Sequence, residues 1–137
     1  MEESAVKGNC AELASMHYLQ SLGCGISIPF GSLRYDFIID YKNKLYRIQC
    51  KSGKLKNNDE YLYVQLTSGN NKRVKFYDDS EIDFFCTAIA GKCYLLPKEE
   101  IKTRTFTLRL VEPKNKQELG IHMAQDYLAD KILSSLK

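Results

Sequence analysis

Residues 34–51 read Arg34-Tyr35-Asp36-Phe37-Ile38-Ile39-Asp40-Tyr41-Lys42-Asn43-Lys44-Leu45-Tyr46-Arg47-Ile48-Gln49-Cys50-Lys51. Apolar and polar residues alternate on both sides of Lys42-Asn43, the pattern of two strands joined by a short polar turn. On the first strand Tyr35, Phe37 and Ile39 share one face, and Asp36, Ile38 and Asp40 the other. On the second, Tyr46, Ile48 and Cys50 oppose Arg47, Gln49 and Lys51. Pairing Tyr41 with Lys44 and continuing outward sets Asp36 opposite Gln49, with Lys51 one side-chain step further along the same face. Opposed β-carbons in such a ladder lie about 5 Å apart. A carboxylate, an amide oxygen and an ammonium then converge on one small patch.

Upstream of this hairpin, residues 4–22 carry a helical pattern, with Ser4 as a capping residue and Gly23 where a left-handed C-terminal residue is wanted. Val6, Cys10, Leu13, Ala14 and Tyr18 form its apolar stripe, and Glu12 falls one residue off it, in line with Gly8, Met16 and Leu19. Residues 23–31 read as loop with extended character near Ile26 and Ile28. Downstream, the lysine-rich residues 52–60 read as a flexible connection. Tyr61 to Thr67 is a third strand, and Asp83 to Ala90 an inner strand that turns at Gly91-Lys92 into Cys93 to Leu96. A short helix near Glu99 to Ile101, an extended segment from Thr105 to Leu110 and a second long helix from Gln117 to Leu136 complete the chain. This order predicts an α/β domain, a central mixed β-sheet flanked by helices, spanning 1–137 as a single unit.

At 137 residues the chain is long enough to bury a core without covalent staples. No apolar run approaches the ~20 residues of a membrane-spanning helix, and no basic-then-apolar leader opens the chain, so a cytoplasmic protein with no membrane partner is expected. Five cysteines, irregularly spaced, lack the close pairs of a zinc knuckle and read as free thiols in a reducing compartment. The net charge of +3 permits nucleic-acid binding without arguing for it.

Hard divalent cations take oxygen ligands, commonly one or two carboxylates with water and substrate phosphate. Asp36 offers a carboxylate, Gln49 a neutral side-chain oxygen and Cys50 its backbone carbonyl. Lys51 would stand beside the cation, placed to orient a nucleophile or to stabilise charge on a phosphoryl oxygen. Spacing alone favours a plainer reading, a surface Asp/Lys cross-strand pair worth a few tenths of a kcal/mol, since many hairpins carry one. Glu12, by its position alone, reads as a solvated glutamate before it reads as an acid half-buried against the sheet. His17 and His122 read as ordinary helix residues, and Asp40 as a solvated strand end.

Taken in order, Glu12 after Lys7-Gly8, then Tyr35-Asp36-Phe37-Ile38-Ile39, then Gln49-Cys50-Lys51-Ser52, the chain resembles the PD-(D/E)xK nucleases. The order of helix acid, strand Asp and strand lysine resembles small members such as the archaeal-type Holliday junction resolvases. Residues 82–97, 107–110 and 114–117 are similar to the branch of group I intron-encoded homing endonucleases. The resemblance runs through roughly residues 7–128. It implies a restriction-endonuclease-like core with Asp36 as main metal ligand, Gln49 as neutral ligand, Lys51 as catalytic lysine and Glu12 as supporting acid, directly or through water. Ser52 is a lesser candidate. The implied cofactor is Mg2+ (or Mn2+). Two departures stand out: Tyr35 precedes the aspartate in place of proline, and Gln49 replaces the more usual acid, removing one negative charge from the site.

The expected activity is metal-dependent hydrolysis of phosphodiester bonds in double-stranded DNA by an intron-encoded homing endonuclease. Junction resolution and a non-cleaving DNA-binding protein of the same fold are the alternatives. Phosphate contacts are expected from the basic loops holding Lys54, Lys56, Lys72, Arg73 and Lys75. Tyr61, Tyr63 and Gln65 can reach a groove or, for the tyrosines, pack against a helix. Cutting both strands needs two sites, so a homodimer or homotetramer is expected.

Overall fold

A computed structural model describes residues 1–68, 75–113 and 120–136. Helix α1 (Glu3–Ser21) is followed by strands β1 (Gly25–Ser27), β2 (Phe37–Tyr41), β3 (Lys44–Cys50), β4 (Gly53–Lys56), β5 (Tyr61–Gln65), β6 (Phe84–Ile89), β7 (Lys92–Pro97) and β8 (Thr105–Arg109). A short helix α2 (Ala129–Ser135) follows these strands. Five strands form a mixed sheet in the order β1-β2-β3-β6-β7, in which only the β3–β6 pairing is parallel. The other three form an antiparallel sheet ordered β4-β5-β8. The α/β class with a central mixed sheet is as expected. The second sheet is new.

The packing gives three layers. Leu19, Phe37, Ile39, Ile48, Phe84, Cys86, Leu95, Ala129 and Leu133 fill the space between the helices and one face of the large sheet. Phe85, Leu96 and Tyr94 on its other face meet Leu62, Val64, Phe106 and Leu108 of the small sheet. Strands β6 and β7 are therefore buried on both sides, which is why their sequences are almost continuously apolar.

The hairpin register holds: Tyr41 faces Lys44, Ile39 faces Tyr46 and Phe37 faces Ile48. Lys42 and Asn43, at φ 51° and 67°, close the turn, and asparagine tolerates such angles better than most residues. The ladder slips at its open end. The Asp36 N–H donates to the Ile48 carbonyl (2.8 Å), so Asp36 stands just outside β2 and does not face Gln49 squarely.

Five local expectations are corrected. Helix α1 begins at Glu3, and its capping residue, Glu2, makes no side-chain cap bond, so Ser4 is not the cap. Its C-terminus is as expected: Gly23 (φ 95°) donates to Gln20 and Cys24 donates to Leu19, the paired bonds of a Schellman ending. The buried face of α1 is Ser15 and Leu19, in line with Glu12, whereas Val6, Cys10 and Leu13 are exposed. Apolar residues lie on several sides of this helix, so periodicity alone did not choose the face. Residues 53–56, expected as flexible connection, form β4, held by pairing with β5. Leu55 is the lone large apolar residue in that strand, too little for a period-two signal.

The tight turn after β6 is Ala90-Gly91, at φ 50° and 78°, with Ile89 facing Lys92. The expected long helix at the C-terminus starts outside the described residues and is replaced by a 3₁₀ turn (Ala124–Tyr127) and the seven-residue α2. Met123 bridges Arg109 and Leu128 bridges Tyr94 in strand fashion, and these backbone pairings draw both residues out of helical geometry. Among the described residues no helix is long and apolar enough to cross a membrane.

Candidate active site

The chain passes from the large sheet to the small one between Cys50 and Gly53, so Lys51 stands at the seam. The end of β3 is fixed there by the Lys51 N–H, which donates to the Cys86 carbonyl of β6 (2.8 Å). The register slip at Asp36 has a direct consequence. Its carboxylate swings onto β3 and accepts the Cys50 N–H through Oδ2 at 2.8 Å. Burial raises the Asp36 carboxyl above its ordinary range, while the Cys50 N–H and the Lys51 charge pull it back. Glu12, half-buried on the inner side of α1, is raised by burial and then by the negative charge of Asp36. Two carboxylates thus feel one another, with Lys51 in the field of the first.

This placement depends on how α1 docks. Ser15, fully buried, lies 3.5 Å from the Cys50 thiol, which anchors the helix against the end of β3. Glu12 sits one turn before it, at the boundary of the buried face. Gln49 is half-buried, and its amide nitrogen donates weakly to the Cys50 carbonyl (3.5 Å). Presenting the amide oxygen to a cation that also used the Cys50 carbonyl would require that amide to turn over.

Lys51 is held from the other side. Its ammonium donates to the Thr67 carbonyl and the Tyr77 hydroxyl, each at 3.1 Å, and lies 4.7 Å from the Tyr77 ring centre. Tyr77 is itself buried, edge-on to Phe85 at 5.4 Å, with the Arg34 guanidinium 3.9 Å from its ring centre. Arg34 is pinned by Glu81 (2.9 Å), the Ser68 hydroxyl (2.9 Å) and the Phe76 carbonyl (2.8 Å). An ammonium has three protons. With two engaged, one is left, and the charge of the group reaches Asp36. Tyr77, Thr67 and Arg34 escaped the sequence reading because residues 75–79 have no usable periodicity and a backbone carbonyl has no residue signature.

The other candidates fall into place around this centre. Lys54, Lys56, Tyr61, Tyr63 and Gln65 lie on the solvent side of the small sheet, with Leu62 and Val64 turned inward. Lys75 is exposed and pairs with Ser68 through a bridge beside Thr67. Lys72 and Arg73 lie outside the described residues. Ser52 and Asp40 are exposed, and His122 packs on Phe106 and hydrogen-bonds Tyr127 (3.2 Å), with no part in the centre. Cys24, Cys86 and Cys93 are buried free thiols, and Cys10 is exposed.

The donor set suits a hard divalent ion better than a soft one: two carboxylates that repel one another, a backbone carbonyl and an amide oxygen, with no imidazole. Among the described residues no three His, Cys, Asp or Glu side chains cluster as a metal site.

No curated protein sequence matches the chain. Among solved structures it is similar to a bacterial homing endonuclease, I-Ssp6803I, with 19% sequence identity and a TM-score of 0.70, over 98% of this chain and 92% of that one. At that identity the likeness speaks for the fold. Residues 3–130 match the PD-(D/E)XK endonuclease family, and Glu12, Asp36 and Lys51 lie inside that span. By that match, covering nearly the whole chain, the protein belongs to the PD-(D/E)XK endonuclease family.

Proposed function

We propose that the protein is a metal-dependent endodeoxyribonuclease that hydrolyses phosphodiester bonds in double-stranded DNA, with Asp36, Gln49, Lys51 and Glu12 as its working residues. The observation that carries this reading is the half-buried Asp36 carboxylate, fixed by the Cys50 N–H at 2.8 Å and lying in the fields of both Glu12 and Lys51. A surface ion pair would be screened by water and would not repel a second acid. Asp36, the Cys50 carbonyl and a turned-over Gln49 amide would hold the cation, with Glu12 reaching it directly or through water. Nucleases of this family generally use divalent metal ions, and Mg2+ or Mn2+ fits the oxygen donors. When bound, the cation supplies Lewis acidity and a more acidic water.

The residues themselves orient and neutralise. Asp36 and Glu12 give the site its negative charge, which the cation requires and which keeps a phosphodiester out until one is bound. Lys51, held by Thr67 and Tyr77, directs its remaining N–H toward the phosphoryl oxygen or the attacking water. The homing role is supported by the likeness to I-Ssp6803I and by the sequence resemblance to intron-encoded enzymes. A homodimer or homotetramer follows from the need to cut two strands.

The test is incubation with Mg2+ and two substrates, a duplex library and a synthetic four-way junction. Sequence-selective duplex cleavage, abolished by Asp36→Ala, is expected. Junction cleavage without sequence preference would assign the same chemistry to resolution. Binding without cleavage by the intact protein would mean that the fold has kept DNA affinity and lost catalysis.

A further inference from the structure

The register of the small sheet sets side chains from three strands in rows on its open face. Lys56 faces Tyr61, which faces Arg109; Lys54 faces Tyr63, which faces Thr107; and Gln65 faces Thr105. Directly opposed residues of antiparallel strands share a face, so these eight side chains form one surface. Burial agrees: Lys54, Lys56, Gln65 and Thr107 are exposed, whereas their in-strand neighbours Leu62, Val64, Phe106 and Leu108 are buried.

The chemistry of this face is unusual for a solvated sheet. It carries three cations and no acid at any of the eight positions. Cross-strand cations are ordinarily matched by carboxylates, but among the described residues Lys54, Lys56 and Arg109 form no ion pair. Two of them, Lys56 and Arg109, are organised on tyrosines instead. Lys56 Nζ is 4.1 Å from the Tyr63 ring centre, and the Arg109 guanidinium, 4.8 Å from that of Tyr61, donates to the Tyr61 hydroxyl and the Val111 carbonyl (2.8 Å). Contact with a ring fixes a cation without neutralising it. Three uncompensated charges, two of them held on rings, thus share one face with a set of amide and hydroxyl groups.

The face also begins at the candidate active site. Gln65 donates to the Thr67 hydroxyl (3.4 Å), and the carbonyl of that same Thr67 holds Lys51 (3.1 Å). β4 starts two residues after Lys51. Successive rows lie about 7 Å apart along the strands, so the three rows run about 14 Å outward from the seam.

We infer that the open face of β4-β5-β8 lies against one groove of duplex DNA next to the cut, covering about four base pairs at ~3.4 Å each. Lys54, Lys56 and Arg109 meet the phosphates, and Gln65, Thr105 and Thr107 reach base edges. Gln65, nearest the seam, reads the position closest to the scissile bond. Thr105, Thr107 and Arg109 are contributions from β8 that the lysine-rich loops did not suggest. This inference rests on the nuclease reading for the identity of the nucleic acid and for the location of the cut.

The test separates the two. Binding of a mixed-sequence duplex is measured in calcium buffer with Asp36→Ala protein, so that no cutting is needed. Lys54→Ala with Lys56→Ala should weaken binding at least about tenfold and reduce the slope of log affinity against log salt by about 0.9 for each phosphate no longer neutralised. Lys131→Ala, on α2 in the helical layer, should leave both unchanged. With the cutting enzyme and a randomised duplex, Gln65→Ala should lose about tenfold discrimination at a base next to the cut, and Thr107→Ala should lose its preference further out on the same side. Unchanged affinity and salt slope in the double variant would overturn the inference. So would dissociation of an oligomer by Thr107→Glu in sedimentation, which would make the face a contact between copies. A wild-type protein that binds through this face but cuts nothing would instead refute the nuclease reading and leave the face standing.

Discussion

Replacing Tyr77 with phenylalanine removes one oxygen atom and tests how Lys51 is held. The ring would keep its edge contact with Phe85, its place under Arg34 and its face toward the ammonium. What disappears is one of two hydrogen bonds from Lys51 Nζ, leaving only the Thr67 carbonyl. A hydrogen bond to a charged group contributes about 1.5–3 kcal/mol. Because the ring contact remains, the lower end applies, about 1.5 kcal/mol, or roughly tenfold in rate at 1.36 kcal/mol per decade. Single-turnover cleavage with saturating enzyme should therefore slow about tenfold, with duplex affinity in calcium unchanged. The Lys51 ammonium resonance should broaden relative to that of the wild-type protein, in which two hydrogen bonds hold the group. A normal cleavage rate with an unaltered resonance would refute the positioning argument. So would a tenfold slowing that persists in a Lys51→Met background, since two residues acting through one hydrogen bond cannot forfeit it twice.

Other outcomes follow from the same centre. Asp36 and Glu12 have folded-state pKa values raised by burial, so their share of stability is present below the unfolded carboxylate pKa and is lost as pH rises through the higher folded value. Asp36→Asn should therefore melt above the wild-type protein at neutral pH, by a margin that vanishes in acid, and should lose most of the stabilisation that Mg2+ gives the wild type; a lower melting temperature at pH 7 would contradict this. Gln49→Glu removes the amide bond to Cys50 and adds a carboxylate, so cleavage should persist with altered metal preference, read by comparing rates in Mg2+ and Mn2+. Complete loss would mean that the neutral amide is required. Gly53→Ala would bring a β-carbon to 2.5 Å from Leu62 Cδ1 and 3.2 Å from the Thr87 hydroxyl. Leu62 is wholly buried and has little room to move, so urea unfolding should show a loss of about 1–3 kcal/mol.

By itself the sequence determined the hairpin, its register from Phe37 to Ile48 and the apolar inner strands, while the grouping of Glu12, Asp36, Gln49 and Lys51 came from the resemblance to a nuclease family. The hairpin and the strands are local facts: period-two alternation and a turn that accepts positive φ. The tertiary structure decided the rest. It chose the face of α1 that carries Glu12, because Ser15 and Leu19 pack on the sheet while the more apolar stripe of Val6 and Leu13 stays in water. It broke the C-terminal helix, because strand pairing at Met123 and Leu128 outweighs local propensity. It moved Asp36 off the ideal ladder and onto the Cys50 N–H, a one-residue slip that no alternation pattern encodes. The grip of Tyr77 on Lys51 and the rows that join β8 to the lysines of β4 connect residues far apart in the chain. Such contacts exist only once the two sheets have packed, which is why composition gave no sign of them.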